Sequence, residues 1–302
     1  MYLLDTSVFY SIGDGDKADR FLKEFHESYT SISSLLEIMS GLKDKNGAEY
    51  EKRIKALKSL NKICGKTKIL RPNTDICIDN AFGVNTAADI DVDRIWKGVD
   101  LALKSKSMDD LDHECIDWLS REKVSLNVQE MRNWDDKTQS YFKTSVDDSL
   151  KSPDPFILNI LKTRYGLSDR ESKKHGREIM ADYCQTKDYF NQSVLSLAMR
   201  AGVIDFASYE LSSDADKERA LMIALDRYDG SLDFFIVIWQ KYQSIGWLGR
   251  NNAGRNDGLD LDPLVYLKSG LGSKYITGET FWVDLINSIE PEKTINVRGQ
   301  YT

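Results

Sequence analysis

Short apolar runs that stop at polar residues mark both ends of this chain, and helical spacing fills its middle. Residues 2–5 read as a buried strand ended by a polar turn at Thr6-Ser7. Ala18, Phe21, Leu22 and Phe25 recur at helical spacing and predict a helix over 16–27. Residues 29–32 predict a short second strand. Ser33 and Ser34 open another helix, with Leu35, Ile38, Met39 and Leu42 as its apolar stripe and Gly41 leaving room for close packing. A third helix is expected over 48–63. Ile54, Leu57, Leu60 and Ile63 share one face, and Lys52, Arg53, Lys55 and Lys58 make the opposite face basic. Residues 68–70 predict a strand stopped by Pro72. This alternation of strand and helix predicts an α/β fold with a parallel sheet.

From 75 to 244 strand signals almost vanish. Amphipathic segments follow at 90–104, 111–120, 156–165, 189–201 and 215–228, then a more apolar helix at 233–242. The stretch is far too long for a loop within a compact domain and reads as a helical insertion or second lobe. Strand character returns at the end. Asn256-Asp257-Gly258-Leu259-Asp260-Leu261-Asp262-Pro263 precedes an apolar helix at 264–267. A strand at 274–277 ends at Gly278-Glu279, and a helix carrying Phe281, Trp282, Leu285 and Ile286 follows. A last strand is expected at 294–297. One sheet is thus expected from both chain ends, residues 1–75 and 245–302, with 76–244 inserted between them to bind substrate or a partner.

Composition narrows the class. The chain has 302 residues, 41% hydrophobic and 29% charged, which is ordinary for a globular protein with a sizeable core. The longest apolar run, 234–239, is too short to cross a bilayer, and the amino-terminal residues show no signal-peptide pattern. The four cysteines form neither a CxxC pair nor a metal spacing, which suits reduced thiols and a cytoplasmic location. Three histidines make a His-based zinc site an unpromising reading. A net charge of −7 argues mildly against a general nucleic-acid binder.

Carboxylates are the candidate chemistry. Asp5, Glu37, the Asp257/Asp260/Asp262 cluster and Glu279 fall at expected strand ends or helix starts, on the edge where open parallel sheets bind ligands. Acids converging there repel one another unless a cation sits among them. Mg2+ or Mn2+ takes oxygen ligands and serves phosphodiester hydrolysis.

These residues resemble the motifs of PIN-domain nucleases. Leu3-Leu4-Asp5-Thr6-Ser7 resembles the family's opening strand and first acid. Ser33-Ser34-Leu35-Leu36-Glu37-Ile38-Met39-Ser40-Gly41 is similar to the helix that carries its second. Arg255-Asn256-Asp257-Gly258-Leu259-Asp260-Leu261, with Tyr266 further on, is similar to the third-acid segment of one branch. Tyr275-Ile276-Thr277-Gly278-Glu279 resembles the final strand and acid, where the family usually has Asp. The similarity covers 1–75 and 245–302. It implies a Rossmann-like sheet and RNA cleavage with Mg2+ or Mn2+. By that likeness Asp5, Glu37 and Asp260 are metal ligands, with Asp262 a rival for Asp260. Asp257, Asp262 and Glu279 are further ligands or water-positioning groups. Thr6 and Thr277 steady them through their hydroxyls.

Each residue also has a structural reading. Asp5 can satisfy backbone donors in a turn. Ser34 and Glu37 fit a capping box. Asp262 before Pro263 fits a helix N-cap, and Glu279 can favour the start of the next helix. Lys162, Arg164, Arg170, Lys173, Lys174 and Arg177 read as a solvated helix face sooner than as a nucleic-acid track, and Trp247 as core sooner than as a base-stacking ring. Arg250 and Arg255, just before the acidic cluster, are the better substrate-binding candidates. The expected activity is a metal-dependent endonuclease acting on RNA sooner than DNA, in phage defence or RNA processing, with room for a protein inhibitor or complex partner. The alternative is a catalytically silent PIN-like module that binds RNA or protein. A phosphatase with Asp5 as nucleophile wants a second Asp two residues on, where this chain has Ser7.

Overall fold

The computed structural model describes residues 1–13, 15–40, 42, 47–70, 74–87, 91–106, 160–248, 261–270 and 272–301. The chain divides into two compact units, one of residues 1–80, 85–131 and 259–302, the other of 81–84 and 132–258.

The first unit is α/β. Five strands, β1 (Tyr2–Leu4), β2 (Ser28–Ser31), β3 (Ile69–Leu70), β4 (Lys274–Thr277) and β5 (Thr294–Asn296), form one sheet in the order β3-β2-β1-β4-β5. Every pairing is parallel. Each strand overlaps a segment where the sequence predicts one. β1 and β4 are central, so both faces of each are covered, and Leu3, Leu4, Tyr275 and Ile276 are fully buried. All strands point one way, so their carboxyl ends gather at one edge. The strand order runs toward β3 on one side of β1 and toward β5 on the other. The reversal lies between β1 and β4, where parallel α/β sheets bind ligands. This order is compatible with a Rossmann-like fold.

Two helices connect β1 to β2. Helix α1 (Thr6–Ile12) starts directly after Asp5 and buries Thr6, Val8, Phe9 and Ile12. The expected turn at Thr6-Ser7 is therefore the first turn of a helix. Gly13, with φ 65°, ends it. Helix α2 (Asp16–Glu24) is shorter than expected, because the chain has already entered β2 by Ser28. Phe21 and Phe25 of this segment pack with Tyr2 and Tyr301, ring centroids 4.8–5.6 Å apart. Helix α3 (Ile32–Ser40) leaves β2 without a break, and α4 (Gly47–Ile63) packs on α1 and α3.

Arg53 departs from the expected basic face of α4. Lys52, Lys55 and Lys58 are exposed, but Arg53 is only 4% exposed. Its Nη1 donates to the Tyr10 hydroxyl at 3.0 Å and to the Glu37 carbonyl at 3.2 Å. One guanidinium thus ties together α1, α3 and α4.

Helix α5 (Thr74–Ala81) follows β3. Helix α6 (Val92–Lys104) returns to the sheet-bearing unit, and its Val92, Ile95, Trp96, Val99 and Ala102 join the same apolar cluster as Leu4, Phe9 and Leu57. The core of this unit therefore extends beyond residue 75. Asp79 closes the intervening turn. Its Oδ2 accepts from the amides of Thr86 and Ala87 and from the Thr86 hydroxyl.

In its described part the second unit is helical. Helices α7 (Asp169–Tyr183), α8 (Lys187–Arg200), α9 (Phe206–Glu210), α10 (Asp214–Arg227) and α11 (Asp233–Trp247) follow a short π-helical turn at Ile160–Arg164. Helix α11 packs on α7 and α8, and α10 on α8. Gln240 is buried and donates to the carbonyls of Cys184 and Thr186 at 2.8 and 3.0 Å, joining α11 to the turn between α7 and α8. Trp247 is core here, packed with Leu161, Met180 and Cys184. Lys162, Arg164, Arg170 and Lys174 are exposed, and Arg164 pairs with Asp188. Helix α12 (Thr280–Asn287), in the first unit, links β4 to β5 and packs on both.

Candidate functional site

Asp5 stands one residue past the end of β1 and is 3% exposed. β1 pairs Leu4 with Ile276 of β4 and with Thr30 of β2. Continuing the register by one residue puts Asp5 level with Thr277 and Ser31. The Asp5 amide donates to the Ile276 carbonyl at 3.0 Å and locks this alignment.

Two hydroxyls hold the carboxylate. Ser7 Oγ donates to Asp5 Oδ2 at 2.5 Å and Thr277 Oγ1 donates to the same oxygen at 2.8 Å. Each hydroxyl is itself aligned by an amide. Gly278 N–H donates to Ser7 Oγ at 2.8 Å, and Glu279 N–H donates to Thr277 Oγ1 at 3.0 Å. Two parallel relays, amide to hydroxyl to carboxylate, therefore run from the end of β4 to the end of β1. Among the described residues no donor reaches Asp5 Oδ1 and no cation pairs with the side chain.

The turn reading of Asp5 does not hold. It occupies the N-cap position of α1, yet its side chain makes no capping bond. Its carboxylate binds side-chain hydroxyls in place of backbone amides. The steadying role expected of Thr6 falls to Ser7. The local Asp-Thr-Ser string contains Ser7, but its partner Gly278 lies 271 residues away.

Gly278 is required by close approach. A Cβ there would lie 3.2 Å from Ser11 Oγ and 3.3 Å from Ser7 Oγ. These separations are tighter than side-chain packing tolerates without displacement.

Glu37 sits in the second turn of α3, which begins at the carboxyl end of β2. Five residues past Ile32, it lies about 8 Å along the helix axis from the sheet edge. The capping box expected at Ser34 and Glu37 is not formed. The helix starts earlier, with Ser31 Oγ accepting from the Ser34 amide at 3.2 Å, so Glu37 is too deep for a capping position. Glu279 occupies the N-cap of α12, but its side chain makes no capping bond and is half-buried. Thr30, Ser31 and Ser34 complete a buried polar rim, and Thr30 Oγ1 donates to the Leu4 carbonyl at 3.0 Å.

Arg250, Arg255, Asp257 and Asp260 lie outside the described residues. Asp262 opens a short 3-10 helix, Asp262–Tyr266, in which Pro263 is second and Leu261 holds the cap position. The expected N-cap is therefore displaced by one residue. This 3-10 helix packs on α3 and β2. Among the described residues no three His, Cys, Asp or Glu side chains converge as a metal-binding group.

Among the described residues no cysteine is set up as a nucleophile. Burial pushes the Cys64 and Cys184 thiols up to about 12 and Cys77 to about 11, so none is a thiolate nucleophile near neutrality. His175 is exposed, 3.7 Å from Glu178 in the second unit. No described helix is long and apolar enough to cross a membrane.

Comparison with protein-family models, with curated proteins and with solved structures gives no match for this chain.

Proposed function

We propose that the carboxyl edge of the sheet is the active site of a metal-dependent endonuclease, of the PIN-like kind its motifs resemble, that hydrolyses phosphodiester bonds in RNA. The observation that carries the reading is Asp5. A 3%-exposed carboxylate ends the central strand beside the order reversal, with both hydroxyl donors on one oxygen and no cation beside it among the described residues. A buried carboxylate in that state is costly unless a positive group compensates it. Its donor chemistry fits Mg2+ or Mn2+, which prefer carboxylate oxygen. Asp5 would hold the ion, while Glu37 and Glu279, which do not converge on it as a group of three, stay assigned by the motif resemblance. Asp260, Asp257 and Asp262 remain assigned by the motif resemblance. A bound divalent ion supplies charge compensation to the scissile phosphate and acidifies a water.

The chain's own groups have separate tasks. Ser7 and Thr277 fix the rotamer of Asp5 and keep Oδ2 engaged, which leaves Oδ1 as the reactive donor. Their protons point at Asp5 because an ionised carboxylate oxygen can only accept, and the amides fill a lone pair of each hydroxyl. This alignment exists before any substrate arrives, so no reorganisation is needed at the moment of reaction. The second unit, whose bounds differ from the insertion expected over 76–244, would select substrate or engage a partner.

Cleavage of generic single-stranded RNA and DNA with Mg2+ or Mn2+, comparing wild type with Asp5→Asn, tests the reading. Metal-dependent cleavage of RNA that Asp5→Asn abolishes, with the circular dichroism unchanged, is the expected result. Equal cleavage by both proteins would exclude Asp5. Absence of both cleavage and calorimetric Mn2+ binding in the wild type would favour a silent binding module.

A further inference from the structure

We infer that the outer face of α9 and α10 docks a basic amphipathic helical segment of a protein partner. Two observations on this pair of helices converge. The first is apolar exposure. Phe206 is 58% exposed, Leu211 90%, Met222 61% and Ile223 41%. Helix α10 is 14 residues long, yet Ala224 is its one buried residue. A helix of a globular protein ordinarily buries an apolar stripe of three or four positions per two turns. Ala220, Leu221, Ala224 and Leu225 form the inward stripe, and Met222 and Ile223 are exposed beyond it. Exposed apolar groups of this kind mark interaction surfaces.

The second is charge. Residues 205–229 carry seven acids and three bases. Two of those bases are already engaged. Lys217 lies over the Tyr209 ring at 5.7 Å, and Arg219 is 3.7 Å from Asp216. Glu210, Asp214, Glu218 and Asp226 have no ion pair among the described residues. Glu218 and Asp226 stand four residues before and after Met222, so acids flank its exposed side chain on the same helix face. Exposed apolar side chains with acids beside them, unpaired among the described residues, repel nucleic acid and repel the same face of a second copy. They complement a helix that carries apolar residues along one stripe and Lys or Arg beside it.

The test uses the full chain and a fluorescent synthetic 18-residue helix with Leu on one face and Lys on the other (about five turns). Fluorescence anisotropy should show binding that weakens as salt rises. Leu211→Ser with Met222→Ser, and separately Glu218→Gln with Asp226→Asn, should each weaken it about tenfold, as loss of central contacts does in protein interfaces. A peptide of the same composition with scrambled order should bind poorly. The proposal is overturned if the helical peptide does not bind, if the scrambled or a Glu-for-Lys peptide binds as well, or if both double variants bind like wild type. Sedimentation showing a dimer that Met222→Ser dissolves would identify a second copy as the occupant and would equally overturn it.

Discussion

The Thr277 hydroxyl donates to Asp5 Oδ2 across 2.8 Å, joining residues 272 positions apart. The same oxygen of Thr277 accepts from the Glu279 amide. Thr277→Val keeps the shape of this fully buried side chain and removes both bonds. The variant should lose about 1–3 kcal/mol of stability in urea unfolding, because a buried amide loses its acceptor. On the proposed reading, RNA cleavage should fall about a hundredfold through misplacement of the carboxylate. Thr277→Ser, which restores the hydroxyl, should recover most of the rate. Equal rates for the Val and Ser variants would show that the hydroxyl does not matter.

Gly278→Ala should act through Ser7. The added methyl meets Ser11 Oγ and Ser7 Oγ at 3.2–3.3 Å, so these hydroxyls must give by a few tenths of an ångström, which disturbs the Ser7 bond to Asp5. The stability cost should be about 1 kcal/mol. Cleavage should fall about tenfold, a larger effect than the stability loss alone would give. Chemical denaturation and steady-state kinetics on one preparation compare the two.

Arg53→Met removes the donor shared by Tyr10 and the Glu37 carbonyl. Met fills much of the volume but offers no hydrogen bond. A loss of about 2 kcal/mol is expected in equilibrium unfolding. Arg53→Lys should recover part of this, since both bonds come from Nη1 and an ammonium carries three donors on a shorter stem.

Asp79→Asn should change how stability depends on pH. Desolvation pulls the Asp79 carboxyl upward, but the amides of Ala87 and Thr86 and the Thr86 hydroxyl outweigh it and hold it below 3.8. A carboxylate with a lowered folded pKa contributes fully above its unfolded value, and the contribution fades as pH falls through the folded value. The stability gap between wild type and Asp79→Asn should thus be constant near neutrality and close as pH drops below about 4. A gap that widens in acid would contradict the hydrogen-bond pattern.

All five strands were legible in the sequence: β1, β3 and β4 carry the short apolar runs that a sheet buried on both faces requires, while the polar β2 and the short β5 were placed from their position in the alternation of elements. The helices at 187–200, 214–227 and 280–287 were legible from their spacing, to within a few residues. Helix α1 was not. Its seven residues follow Asp5 without a loop, and Thr6-Ser7 carries the chemistry of a turn. Arg53 was misread because a charged residue between lysines suggests water, and only the fold puts Tyr10 and Glu37 around it. Asp5 was legible as an acid at a strand end. Its engagement by Ser7 and Thr277 was not, because the alignment comes from parallel pairing between opposite parts of the chain. Asp257 and Asp260 lie outside the described residues, so the third acid stands on motif resemblance.

A ribosome that has made Asp5 reaches Thr277 only 272 residues later. At about 5–20 residues per second that delay is roughly 15–55 s. During it, β1 can pair with β2, but the edge that later receives β4 is open and one of the two hydroxyls that hold Asp5 does not yet exist. A product cut short before β4 would leave Asp5 without the Thr277 hydroxyl and β1 with one open edge, exposed to proteolysis or aggregation. The topology thus sets an order of assembly, in which the surroundings of Asp5 are complete only when the late strands have docked.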